Sequence, residues 1–122
     1  MLLTSYFAKS ARAPGAVSIA RFPPEWYTGA RYLALAPAPD MLKIQDWDEY
    51  RQKYRTEVLD LLDPDAVLRD LDVDKAAHDI VLLCFEKHRT HCHRGLVAEW
   101  FLETRGIRVP EFGADPTLQQ TF

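Results

Sequence analysis

Between positions 84 and 94 the chain carries both of its cysteines and three of its four histidines, together with Glu86 and Arg94: Cys84, Glu86, His88, His91, Cys92, His93 and Arg94. The chemistry these types suit best is nucleophilic. A thiol at or beside a helix start, with His93 and Arg94 next to it, has two of the influences that enrich the thiolate. In that scheme Cys92 attacks, Arg94 holds an anionic group, and His93, His91 or Glu86 moves protons. The phosphatase loop of Cys, five residues and Arg is absent, since that step leads from Cys92 to Ala98 and from Cys84 to Thr90. Zinc is a second chemistry, because Cys84, His88, His91, Cys92 and His93 are the ligand types it prefers. No tight Cys-x-x-Cys pair preorganises such a site, so neither a metal nor any other cofactor is expected. Disulfide redox between Cys84 and Cys92 is a third, at a spacing of eight that is not the thioredoxin type.

An apolar run of strand length, Ile80 to Phe85, leads into this cluster, and Leu96, Val97, Trp100 and Phe101 repeat behind it at helical spacing. The order Leu-Leu-Cys-Phe-Glu-Lys, then His-Cys-His-Arg, then an apolar helix resembles the signature of the domain of unknown function 488 (DUF488) family. Upstream, Val17-Ser-Ile-Ala-Arg21-Phe-Pro23 resembles the family pattern of an arginine closing a strand before proline. Many members carry an acid two places before that arginine, where this chain has Ile19. The resemblance implies a fold more than a reaction.

The elements around the cluster follow from pattern. Leu2 to Ala8, Ala16 to Phe22 and Tyr32 to Ala36 are β-compatible runs bounded by turn residues. Asp46 to Leu62 is the clearest helix, with Trp47, Tyr50, Tyr54, Val58, Leu61 and Leu62 on one face and a capping-box-like start at Asp46 and Glu49. Asp63-Pro64 ends it and opens a second, short helix carrying Val67, Leu68 and Leu71. Strand Ile80 to Phe85 lacks alternation and suits a central parallel strand covered on both faces. After the Cys-His-Arg helix, Gly106 is the stop and Ile107-Arg-Val109 the next strand, completing a right-handed β-α-β crossover. Pro23-Pro24-Glu-Trp26-Tyr27 is a stiff aromatic loop whose rings are expected to plug the core edge. The expected fold is therefore a small three-layer, Rossmann-like α/β domain with a partly parallel sheet and flanking helices, spanning 1–122 with 113–122 as a surface tail.

If the first strands lie beside the Cys84 strand, Arg21, and with it Ser5 and Lys9, comes to the same edge, and Arg21 with Arg94 forms an anion-binding pair. The remaining histidine, His78, is expected at the surface, as is His88.

At 122 residues and 48% hydrophobic content, the chain can bury a core without disulfides or metal. The net charge of −3 offers no global attraction to nucleic acid, so phosphate binding would be local. No run approaches a membrane span, and Met1 to Ala8 reads as a strand and not as a secretory signal. A cytoplasmic address with reduced thiols is the resulting expectation. The functional expectation is an enzyme acting on an anionic or phosphorylated small molecule or nucleotide, with a non-catalytic phosphate-binding module and a metal-binding protein as the alternatives.

Overall fold

The computed structural model describes residues 1–113 and builds them around a parallel sheet of four strands. The strands are β1 (Leu2–Tyr6), β2 (Ala16–Ser18), β3 (Ala30–Arg31) and β4 (Ile80–Cys84), in the order β1-β4-β2-β3. Strand β4 is central, pairing Tyr6 with Cys84 on one side and Ser18 with Leu83 on the other. All five of its residues are buried, as an unalternating Ile-Val-Leu-Leu-Cys run requires when both faces are covered. The expected α/β class holds, and every strand pair is parallel.

Helices α1 (Phe7–Ser10), α2 (Trp47–Glu57), α3 (Pro64–Asp70) and α4 (His93–Arg105) connect and cover the strands. Ile80 and Leu82 pack with Tyr54 and Val58 from the α2 end, Val67 of α3, and Val97 and Phe101 of α4. Val81 and Leu83 point the other way, against Phe7, Ala20 and Tyr27. Because side chains alternate along a strand, Cys84 shares the α4 face with Leu82. Helix α2 starts where expected, the Asp46 carboxylate accepting from the Glu49 N–H at 3.0 Å. Asp63 caps α3 in the same way, with Pro64 in its first turn.

Four expected strands change. The chain from Leu33 to Leu35 forms a 3₁₀ turn that buries Leu35, and only Ala30–Arg31 pairs with β2, which itself ends at Ser18. The first run likewise gives way to α1 at Phe7. Ile107-Arg-Val109 forms no strand. Beyond it, Pro110 accepts from Thr4 N–H, Phe112 donates to Thr4 C=O, and a single bridge joins Thr4 to Glu111. Pro110 has no N–H to give a ladder, which limits pairing there to an isolated bridge. In the aromatic loop, Tyr27 plugs the core as expected, whereas Trp26 is exposed. Of the expected tail, 114–122 lies outside the described residues.

No helix among the described residues is long and apolar enough to cross a membrane.

Candidate active site at the carboxyl edge of the sheet

A cavity of about 460 Å³ opens beyond the carboxyl ends of β2 and β4, the edge at which open α/β sheets hold their ligands. Ala20, Arg21 and Phe22 line it from the segment after β2, and Cys84, Phe85 and Glu86 from the end of β4. His91, Cys92 and His93 contribute from the start of α4, and Asp46, Trp47 and Tyr50 from the start of α2. The indole of Trp47 stacks on Tyr50 at 5.6 Å and meets His91 edge-on at 5.1 Å. Burial pushes the Tyr50 phenol up to about 12, so it stays neutral.

Cys84 and Cys92 meet at the floor of this cavity as a disulfide, their Cα atoms 7.4 Å apart. Strand alternation turns Cys84 toward α4, and the 3₁₀ turn Arg89–His91 brings the chain back so that Cys92 lands on it. That return is tight. A Cβ on Gly95 would lie 2.3 Å from the Arg89 carbonyl oxygen, so the first turn of α4 can approach the loop only with glycine there. Cys92 is the N-cap of α4 and makes no side-chain cap bond. Its sulfur thus sits at the positive end of a thirteen-residue helix. The expectation of two free thiols is corrected here, because strand alternation and the tight return bring together two sulfurs that spacing in the sequence leaves unpaired.

His93 is buried and its Nε2 lies 2.8 Å from the Ile19 carbonyl oxygen. A carbonyl can only accept, so Nε2 carries the hydrogen and Nδ1 keeps its lone pair, 4.0 Å from Cys92 Sγ. Burial, reinforced by the charge of Arg94, pulls the imidazole down to about 4, against the opposing bond to Ile19. It is neutral at ordinary pH. A proton-carrying role for His93 therefore loses its footing, while His91 and Glu86 are both exposed at the cavity.

Arg94 requires the largest correction. It is fully buried, and all five of its N–H donors are engaged within the protein. Nε and Nη2 hold the Glu111 carboxylate at 3.1 and 2.7 Å. The remaining bonds run from Nη1 to the Glu86 carbonyl and the Cys84 sulfur at 2.6 and 3.1 Å, and from Nη2 to the Lys87 carbonyl at 3.1 Å. Nothing is left for a ligand, so Arg94 braces the end of β4 and hydrogen-bonds one of the two sulfurs. Behind it, Thr4 donates to Glu111 and accepts from Arg89.

Arg21 does line the cavity, with Nε donating to the Pro37 carbonyl at 2.9 Å. Ser5 and Lys9 do not. Alternation puts Ser5 on the face away from α4, where its hydroxyl meets Ser10 at 2.7 Å, and Lys9 donates to the Phe112 carbonyl. His78 and His88 are exposed, as expected. Glu111 and the Ile19 carbonyl are the partners that sequence reasoning missed, and neither carries a local signal. Trp47 and Tyr50 were legible only as the apolar face of α2, three residues apart.

Comparisons with curated proteins and with solved structures return no match. A family model described as the Active DUF488-N3 subclade matches residues 8–105, a span that holds the cysteine pair, Arg21, His93 and Arg94 and exceeds half of the chain, and the protein belongs to the DUF488 family.

Proposed function

We propose that this protein is a cysteine-dependent enzyme acting on an anionic small molecule or nucleotide in the cavity, with Cys92 as attacking sulfur and Cys84 as the sulfur that resolves the adduct. The observation that carries this reading is the meeting of Cys84 and Cys92 at the cavity floor. Cys92 is the better nucleophile because the N-terminus of α4 favours its thiolate. Cys84 accepts an N–H from Arg94, which stabilises negative charge on the sulfur that attacks second. Arg21 offers the substrate's anionic group a cation, and the rings of Phe22, Trp47 and Tyr50 offer a flat group its stacking surface.

The chemistry balances as a two-electron reduction. The Cys92 thiolate attacks atom X of a reducible X–Y bond, forming Cys92 S–X and expelling Y with the bonding pair. The Cys84 thiolate then attacks Cys92 Sγ, expelling X with its pair and closing the disulfide. Both leaving groups take protons from water or from His91 and Glu86, and an external dithiol returns the enzyme to its starting state.

An anionic aromatic disulfide, 5,5′-dithiobis(2-nitrobenzoate), is a direct probe. One equivalent added to the reduced protein should release two equivalents of thionitrobenzoate and leave the protein two hydrogens lighter, with no adduct. Cys84→Ser should release one equivalent and retain the adduct on Cys92. Stable adducts on both sulfurs of the wild type, or an adduct on Cys84 in preference to Cys92, would refute the reading.

A further inference from the structure

We infer that the reduced form of this site binds a zinc-type divalent metal through Cys84 Sγ, Cys92 Sγ and His93 Nδ1, leaving a fourth position open to the cavity. The inference rests on the two sulfurs whose chemistry is proposed above, but it requires no turnover.

The three ligand atoms lie within 4.8 Å of one another, and all three residues are buried. They come from two rigid elements, the last residue of β4 and the first turn of α4, so the set is assembled by the fold. Two thiolates on one zinc, each at about 2.3 Å, sit about 3.8 Å apart. A Cα separation of 7.4 Å accommodates that spacing.

The surroundings have the features that tune a metal site. A ligating histidine usually gives its other N–H to a carbonyl or carboxylate, which fixes the tautomer and orients the ring. His93 does this with Ile19, and the nitrogen left over is the one nearest the sulfur. Arg94 hydrogen-bonds Cys84 Sγ, supporting a thiolate. Its own charge is answered by Glu111 at 2.7 Å. Two buried thiolates without a cation would be an uncompensated charge, whereas two thiolates, a neutral imidazole and a divalent ion sum to zero. A donor set of two cysteines and one histidine with an open fourth position is that of catalytic zinc.

Loading requires reduction first. A small dithiol transfers two electrons and two protons to the disulfide, becoming a cyclic disulfide itself, and the incoming metal then displaces the two thiol protons.

Cobalt(II) reports on such a site without reference to activity. Protein reduced with dithiothreitol and freed of it under nitrogen should take up one equivalent of cobalt. The product should show thiolate-to-metal charge transfer in the near ultraviolet and the visible bands of tetrahedral cobalt, both lost on adding zinc. Oxidised protein should show neither. His93→Gln, close in size to the imidazole, should weaken cobalt binding at least tenfold, and Cys84→Ser should lose most of the charge-transfer intensity. Absence of the charge-transfer band from the reduced wild type would overturn the inference, as would its full retention in Cys84→Ser. Neither result touches the nitrobenzoate stoichiometry, which tests the thiol reading alone.

Discussion

Replacing Arg94 by methionine should cost stability first and ligand affinity only as a consequence. The guanidinium is fully buried and its five donors hold the Glu111 carboxylate, the Cys84 sulfur and the carbonyls of Glu86 and Lys87. Methionine fills most of the volume and makes none of these bonds. Removing one member of a buried pair costs about 3–5 kcal/mol, most of it the charge left behind. Glu111 retains some access to water and its bond from Thr4, so the low end, about 3 kcal/mol, applies. With an unfolding entropy of about 2.1 cal/mol/K per residue over 122 residues, that lowers Tm by about 12 °C. The charge argument has its own signature. Adding Glu111→Gln to Arg94→Met should recover about 1 kcal/mol or more, because the orphaned carboxylate is gone. Urea unfolding of the reduced wild type, both single variants and the double variant measures the cycle. An Arg94→Met protein within about 0.5 kcal/mol of wild type, the level of an ordinary surface change, would refute the brace and return Arg94 to the anion-clamp role.

Three further outcomes are expected. In the disulfide form, which has no thiol to offer a metal, the imidazole of His93 sits at about 4 when folded and near 6.5 when unfolded. The unfolded chain therefore gains the proton first, and stability complete above about pH 6.5 should fall by about 3 kcal/mol as pH drops to 4. Urea midpoints across that range should show the loss in wild type and a flatter profile in His93→Gln, and identical profiles would sink the argument. Gly95→Ala puts a methyl 2.3 Å from a backbone oxygen, whereas Gly106→Ala, at φ 64° with nothing near, meets only the left-handed penalty of about 1 kcal/mol. Thermal melts should rank Gly95→Ala clearly the less stable, and the reverse order would contradict the tight return before α4. Asp46→Ala should lose the cap on α2 and about 1 kcal/mol by the same melts, while Asp46→Asn stays close to wild type.

Local rules acting over a few residues were legible from sequence. The start of α2 at Asp46, the Asp63-Pro64 opening of α3, the stop of α4 at Gly106 and the doubly covered strand Ile80–Cys84 depend on caps, fixed φ angles and apolar periodicity, and each is where the sequence puts it. So is the gathering of cysteine and histidine at the junction of β4 and α4, since eleven residues of chain cannot separate them far. The partners of those side chains were not legible. Arg94 next to Cys92 reads as an anion clamp until Glu111, seventeen residues on, arrives beside β1 through a single bridge at Thr4. Residue type sets what a guanidinium can bind, but only the route of the chain decides whether its donors are already taken. The same holds for Cys84 and Cys92. Their spacing of eight is compatible with two free thiols, and it is the alternation of β4 and the return forced through Gly95 that bring the sulfurs together. His93 became a neutral imidazole for the same reason, because the carbonyl of Ile19 that fixes its tautomer comes from the residue just after β2, seventy-four positions away in the chain.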